Sequence, residues 1–214
     1  MDRREALSRV ALILGGTIIG AEAFLSGCKT TPAKEGLFSV DDIALLDEVG
    51  ETILPTTASS PGAKAAQIGD FMKTIVTDCY TEDDQRTFTD GISKLQEASK
   101  KKFDKSFMDL TAEQKTEFLV ELDKAAKDRA KELSEKDSKM TDEEKHKRRL
   151  AQNDGSYKRD PQDDPHYFSM VKQLTLWGYF TSKPGATQAL RYIAVPGKYE
   201  GCIPYKKGDK AWAT

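Results

Sequence analysis

The sequence is poor in the residues that redox, metal and nucleotide sites need. Its 214 residues include two histidines and three cysteines, and no glycine-rich phosphate loop. It has no Cys-x-x-Cys-His haem attachment motif and no Gly-x-Gly-x-x-Gly after a predicted strand. His146 and His166 have no second histidine or cysteine at ligand spacing, so we expect no metal site. These absences argue against an enzyme with its own cofactor.

Neither sign of charge is in excess. Lys and Arg total 33 against 35 Asp and Glu, a formal net charge of −2, so the basic surplus typical of nucleic-acid binding is missing. The carboxylate pairs 41–42 and 83–84 lie at predicted helix starts, where the helix dipole favours negative charge. They predict helix caps rather than an acid–base pair.

Residues 1–27 have the layout of an export signal. A charged start is followed by an apolar run over 10–20 that is too short to span a bilayer. Arg3 and Arg4 lie just before that run and resemble a twin-arginine signal, although Ala6 occupies a position where such signals usually carry a larger residue. We expect twin-arginine export, with ordinary secretion as the alternative.

The signal ends in Leu25-Ser26-Gly27-Cys28, which resembles a bacterial lipobox. The sequence therefore predicts acylation of Cys28 and a lipidated tether over residues 28–37; a free, buried cysteine is the alternative. We expect a periplasmic protein anchored to a membrane by lipid. Lys29 after the cysteine favours the outer membrane over the inner one.

Hydrophobic residues recur every three or four positions in the rest of the chain, and no alternating run is present. The pattern predicts an all-α, compact multi-helix domain over residues 38–205. Six helices are expected: one from Ser39 to Leu54-Pro55, one over 64–79 with Cys79 on its buried face, two starting at Thr81 and Thr111, one over 167–180, and one from Ser182 to Ile193.

Two segments depart from this pattern. Residues 127–165 hold 22 charged side chains in 39 positions, which predicts a charged helical insert: an extension of the fourth helix, a solvated helix over about 141–152 and an irregular loop over 153–165. A partner-binding arm is the alternative interpretation. Residues 195–205 are rich in turn formers and predict an irregular tail, continued by residues 206–214.

Several spaced motifs carry a resemblance. They are Glu51-Thr52-Ile53-Leu54-Pro55-Thr56, Gly62-Ala63, residues 68–72, the helix over 88–95, Trp177-Gly178-Tyr179-Phe180-Thr181-Ser182, Gly185, Leu190-Arg191-Tyr192 and residues 196–202. Together they resemble the gluconate 2-dehydrogenase subunit 3 family over roughly Phe38 to Tyr205, outside the charged insert. The insert and the lipobox depart from the family's pattern.

The resemblance implies a small helical subunit of a membrane-associated, FAD-dependent sugar or polyol dehydrogenase. In such complexes a flavoprotein of the glucose-methanol-choline type holds the FAD and does the chemistry, and a haem c subunit often accepts the electrons. The small subunit binds the flavoprotein and escorts it across the membrane. We therefore expect a chain that is not an enzyme by itself. A free-standing lipoprotein that acts as a scaffold or binds carbohydrate is one alternative, and an enzyme with an unrecognised site is another.

Aromatic side chains are concentrated in the last quarter of the chain, which suits either a core or an interface. Trp177, Tyr179, Tyr199 and Tyr205 are the predicted partner contacts. Several outcomes stay open for the two remaining cysteines in an oxidising compartment. Cys79 is most simply a buried apolar residue, while Cys202 can pair with Cys79, pair with a cysteine of the flavoprotein, or stay free.

Overall fold

The structure, a computed structural model, describes residues 36–195, 197–198 and 200–213. The predictions for Arg3, Arg4, Cys28 and Tyr199 lie outside the described residues. Residues 37–214 form one compact unit. Among the described residues, no helix has the length and apolar character needed to cross a membrane.

Six α-helices follow one another along the described part of the chain. They are α1 (Val40–Ile53), α2 (Ile68–Cys79), α3 (Glu82–Phe103), α4 (Ala112–Ser138), α5 (Asp142–Asn153) and α6 (Tyr167–Thr181). Short 3₁₀ turns cover Ala63–Ala66, Phe107–Asp109 and Pro161–Asp163, and a π turn covers Gly185–Ala189. Extended pairing within the described residues is limited to two isolated bridges, so the all-α prediction is confirmed.

The helix starts agree with their sequence signals. Ser39 and Thr111 each form a complete capping box, in which the hydroxyl accepts a backbone N–H and the residue three positions later bonds back to the cap. Thr81 caps α3 by accepting the amide of Asp84 at 3.3 Å. These bonds satisfy amides that a helix start would otherwise leave without a partner.

Helix α6 is the centre of the domain and packs against α1, α2, α3 and α4. Eight of its residues are buried, in agreement with a predicted helix that is hydrophobic nearly all round. The core around it is mainly apolar and comprises, among others, Leu45, Val49, Met72, Phe88, Phe107, Phe118, Phe168 and Leu174. This packing fixes the C-terminal end of α6, where the sequence motifs lie.

Two predicted helices are shorter than expected. The helix over 64–79 is interrupted at Gln67, whose φ of 51° is left-handed and separates a 3₁₀ turn from α2. The predicted helix from Ser182 to Ile193 is reduced to the π turn, because the Leu190 amide donates to the Gly185 carbonyl and Arg191 then pairs with residues near the end of the chain.

The buried face of α2 also differs from the prediction. Val76 takes the buried position that was expected for Cys79, and Cys79 is exposed at the end of the helix. The prediction of a buried Cys79 is therefore wrong. The reason is position along the helix: Cys79 is the last residue of α2 and lies beyond the buried positions Ile68, Met72 and Val76.

Candidate partner-binding site

Most of the motifs that carry the family resemblance, those outside residues 88–95 and 196–202, meet at one end of the domain. We call this region the motif end and define it as residues 51–72, 174–192 and 206–213. The hydroxyls of Tyr179 and Ser60 lie 2.7 Å apart, and the Tyr179 hydroxyl also donates to the Pro61 carbonyl. The Lys210 ammonium donates to the Ser59 carbonyl at 3.0 Å and to the Gln188 carbonyl. Segments distant in sequence are thus joined by direct hydrogen bonds.

Glu51 organises the loop that follows α1. One carboxylate oxygen accepts the amide (2.9 Å) and the hydroxyl (2.8 Å) of Thr56, and the other accepts the Lys64 amide at 3.0 Å. Burial acts to raise the pKa of Glu51, but these hydrogen bonds and the nearby Lys64 charge outweigh it and lower the pKa. A Cβ at Gly62 would lie 2.1 Å from this carboxylate, so a larger residue there would push Glu51 away from the hydrogen bonds that it accepts.

The motif over residues 68–72 brings α1 and α2 into close contact. The Asp47 carboxylate accepts the Gly69 amide at 2.8 Å, which supplies a partner from α1 to the first turn of α2. A Cβ at Gly69 would lie 2.4 Å from the Ile43 carbonyl oxygen. The glycine therefore allows the two helix backbones to approach.

The motif over residues 177–182 supports the same end from α6. Gly178 leaves room for the Phe71 ring, which a Cβ would approach to 2.5 Å, and Phe71 meets the Trp177 ring edge-on at 5.4 Å. Tyr179 is buried, and its hydroxyl is used within the fold. This burial corrects the prediction that Tyr179 is a partner contact: its side chain holds the loop over 54–62 in place.

Ser182 and Gly185 end α6 and start the π turn. The Ser182 hydroxyl donates to the Tyr179 carbonyl at 2.6 Å and accepts the Gly185 amide at 3.1 Å. A Cβ at Gly185 would lie 1.8 Å from the Tyr179 carbonyl oxygen. These residues of the motif thus have structural roles that the sequence pattern did not reveal.

The motif end also presents apolar side chains to solvent. Trp177 is 49% exposed and Tyr205, in the adjoining tail, is 76% exposed, so both predicted contacts are accessible. Sequence reasoning did not select other exposed apolar residues at the motif end and in the adjoining tail, among them Leu176, Phe180, Ile193, Ile203 and Trp212. Residues 176, 177 and 180 recur at helical spacing, one turn apart, beside the buried positions 174, 178 and 179. This spacing is the signal that could have indicated an exposed stripe on α6.

The cysteines and histidines of the described residues have modest roles. Cys79 and Cys202 are free and exposed in the structure, which contains no bond between them. His166 is the N-cap of α6: its Nδ1 accepts the Phe168 amide at 3.2 Å. Burial and the nearby Lys94 lower the pKa of His166. The described residues contain no group of three or more His, Cys, Asp or Glu that could hold a metal ion.

A polar cavity of about 310 Å³ lies beside His166, between α3, α4 and the loop over 161–165. Its walls carry both signs of charge, with Lys94 and Arg129 alongside Asp90 and Asp164. Arg129 is already engaged, because it donates to the Asp164 carbonyl at 3.1 Å and to the Gln162 carbonyl. The cavity therefore belongs to the base of the charged insert, apart from the motif end.

Comparison with known proteins agrees with the motifs. The profile of the gluconate 2-dehydrogenase subunit 3 family matches residues 40–197, which is most of the chain and includes α1 to α6. No curated protein and no solved structure matches. The family takes its name from a subunit of a dehydrogenase complex. The chain belongs to the gluconate 2-dehydrogenase subunit 3 family.

Proposed function

We propose that this chain is the non-catalytic small subunit of a membrane-associated, FAD-dependent sugar or polyol dehydrogenase, and that it binds the flavoprotein at its motif end. Membership of a family of dehydrogenase-complex subunits supports the coarser part of this proposal. The FAD belongs to the flavoprotein, of the glucose-methanol-choline type, and in complexes of this kind a haem c subunit often accepts the electrons.

One observation carries the proposal. Segments that carry the family resemblance fold together at the motif end, and that end leaves Trp177, Phe180 and the adjoining Tyr205 accessible to solvent. Large aromatic side chains dominate the energetics of protein interfaces, and their exposure on a monomer marks a binding surface. The buried members of the motifs, such as Glu51 and Tyr179, supply the framework.

The N-terminal residues support a role in export and anchoring. A flavoprotein that acquires FAD in the cytoplasm must cross the membrane folded, and Arg3-Arg4 resembles the signal of a route that carries folded proteins. Lipid chains on Cys28 bury enough methylene groups for stable attachment to a membrane. We therefore propose a periplasmic, lipid-anchored subunit, with Lys29 favouring the outer membrane.

Purification of the tagged, full-length chain from its native membranes in detergent tests the complex. We expect a yellow flavoprotein in near-equal amount, identified by its absorbance spectrum and by mass spectrometry, with sugar-dependent dye reduction in the complex and none in the isolated chain. A colourless, solitary protein would contradict the proposal and favour a free-standing lipoprotein. Dye reduction by the isolated chain would instead show an enzyme.

Two variants test export and anchoring separately. Arg3→Lys/Arg4→Lys should retain both the chain and the flavoprotein in the cytoplasm, whereas normal export of this variant would indicate ordinary secretion. Cys28→Ala should move the chain from the membrane to the soluble periplasmic fraction and still capture the flavoprotein. Membrane retention of the Cys28→Ala variant would exclude the lipid anchor.

A further inference from the structure

Residues near the end of the described chain pair with Arg191, which follows the π turn of the motif end. The Arg191 amide donates to the Ala211 carbonyl and the Arg191 carbonyl accepts the Ala213 amide, both at 2.8 Å. The Arg191 guanidinium pairs with Asp209 at 3.0 Å and lies over the Trp212 ring at 5.5 Å. We call residues 209–213 the clasp, because they hold the end of the segment that follows Arg191 next to Arg191 itself.

Lys210 attaches the clasp to the rest of the motif end. Its ammonium donates to the carbonyls of Ser59 and Gln188, which belong to the loop after α1 and to the π turn. The Asp209 carboxylate also accepts the Lys206 amide at 2.9 Å and shapes the turn before the clasp. Backbone hydrogen bonds, an ion pair and a cation–π contact therefore all hold the clasp against Arg191.

Between Arg191 and the clasp, the chain exposes apolar side chains. The exposed members with described positions are Tyr192, Ile193, Val195, Ile203 and Tyr205, which are between 41% and 81% accessible. We call residues 192–208 the clasped loop. Exposed apolar surface is unfavourable by about 25 cal/mol per Å², so a loop that is fastened at both ends and still exposes such residues is suited to burial against another surface.

The surroundings of the clasped loop are basic, although the whole chain is slightly acidic. Residues 183–213 contain six Lys and Arg against two acidic residues. Both acids are already paired, Glu200 with Lys198 at 2.6 Å and Asp209 with Arg191. Within the described residues no carboxylate pairs with Lys183 or Lys207, so their charge is available to a partner.

We infer that the clasped loop is the docking element of the motif end and that it fits a protein surface with an apolar groove and an acidic rim. This inference rests on the proposed function, which makes the flavoprotein the owner of that groove. A protein fits better than a lipid surface because binding to a membrane surface ordinarily uses an amphipathic helix, and the described part of the loop has none.

Flavoprotein capture by variants of the full chain tests the inference. Ile203→Ala/Tyr205→Ala should lower the captured flavoprotein at least about tenfold, as expected for an interface anchor. Lys183→Glu/Lys207→Glu should lower it about threefold and weaken its dependence on salt. Asp209→Ala/Trp212→Ala, which removes the ion pair and the cation–π contact of the clasp and leaves the loop sequence intact, should also reduce capture. All three variants should keep the wild-type helical circular dichroism and melting temperature.

Matched controls lie elsewhere on the surface. Val40→Ala/Val120→Ala removes two exposed apolar side chains outside the motif end, and Lys147→Glu/Arg149→Glu reverses two exposed charges in the insert. Both should capture the flavoprotein like the wild type. If the Ile203→Ala/Tyr205→Ala variant captures as much as the controls, the docking inference is overturned and the proposed function stands. If the wild type captures none, the proposed function and the inference fail together.

Two further results would replace the flavoprotein with another occupant. Flotation of the Cys28→Ala chain with phosphatidylglycerol vesicles, abolished by Ile203→Ala/Tyr205→Ala while flavoprotein capture is unaffected, would assign the loop to the membrane. Light scattering that finds a dimer, dispersed by the same double variant, would assign it to a second copy of the chain. We expect no flotation and a monomer.

Discussion

The motif end and the charged insert of residues 127–165, which we call the arm, are stabilised by different forces. Partly buried hydrogen bonds and close helix contacts fix the motif end, and Tyr179 and Gly69 are central to them. The arm has no buried residue in α5 and is held by ion pairs near solvent, such as Arg148 with Asp137. Because salt screens exposed charges and leaves packing intact, the two regions should respond differently to the same perturbation.

The base of the arm, around Arg159, is held by ion pairs that are less accessible to solvent than the ion pair of α5. The Arg159 guanidinium donates to Asp84 and Asp164, each at 2.7 Å, and reaches the Thr87 hydroxyl at 3.4 Å. Burial acts to lower the pKa of Arg159, but the two carboxylates outweigh it and raise the pKa. The loop over 153–165, predicted as irregular, is thus attached to the start of α3.

The largest effect should come from Gly69→Ala in the motif end. A Cβ would lie 2.4 Å from the Ile43 carbonyl oxygen, and a backbone atom cannot move aside without separating α1 from α2. We expect the free energy of unfolding to fall by about 2 kcal/mol, as is typical of overpacking. Urea denaturation followed by circular dichroism measures this change.

The matched control is Gly155→Asn in the arm. Gly155 has a φ of 75°, which asparagine tolerates, and a Cβ added there would meet no atom within 4 Å. The free energy of unfolding of this variant should stay within about 0.5 kcal/mol of the wild type. Equal destabilisation by both substitutions would remove the contrast between the two regions.

Tyr179→Phe should have the next largest effect. Removing the hydroxyl leaves the Pro61 carbonyl without this donor and breaks the contact with Ser60, which should cost about 1.5 kcal/mol. Tyr205→Phe is the matched control, because its exposed hydroxyl has no comparable role and its loss should leave stability unchanged. An unchanged denaturation midpoint for Tyr179→Phe would show that the loop over 54–62 does not depend on this bond.

Arg159→Ala tests the base of the arm. We expect a loss of about 1 kcal/mol in global stability, together with faster hydrogen exchange over residues 153–165 and the first turns of α3. Salt at about 1 M should accelerate exchange in the arm of the wild type and leave the packed contact between α1 and α2 at Gly69 unaffected. Lys131 forms an exposed ion pair with Glu135 at 3.9 Å, and Lys131→Ala should change neither the global stability nor the hydrogen exchange of these segments. Loss of protection in the motif end on Arg159→Ala would show that the two regions are coupled.

The same contrast explains which features the sequence predicts. A capping box depends on two residues three positions apart, so the boxes that begin at Ser39 and Thr111 can be predicted from the local sequence. The central place of α6 follows from its apolar residues. The left-handed Gln67 and the shortened helix after Ser182 depend on contacts made after folding, which no local pattern contains.

The candidate site was predicted in part for the same reason. Density of aromatic residues indicated the right quarter of the chain, and Trp177 and Tyr205 are exposed there. Composition could not distinguish the buried Tyr179 from its exposed neighbour Phe180, because their exposure depends on how α6 meets the loop over 54–62. The clasp could not be predicted from the sequence either, because its backbone hydrogen bonds join Arg191 to residues about 20 positions further along the chain, and backbone groups carry no sequence signal.

The smallest effect should come from His166, where the arm joins α6. Its Nδ1 must be unprotonated to accept the Phe168 amide, and burial and Lys94 lower its pKa below the ordinary 6.5. Lys94 and Asp90 of α3, Arg129 of α4 and Asp164 of the arm line the cavity beside it.

Because the pKa of His166 is lower in the folded chain than in the unfolded one, the unfolded state binds more protons as the pH falls. The contribution of His166 to stability is therefore complete above about pH 7.5 and declines as the pH drops through 6.5 towards the folded pKa. His166→Asn keeps a good N-cap and removes this titration, so urea midpoints of the variant should change less between about pH 7.5 and about pH 5.5. Carboxylates titrate alike in both proteins, so the difference isolates the histidine; parallel curves would mean that the junction between the arm and α6 does not sense protonation.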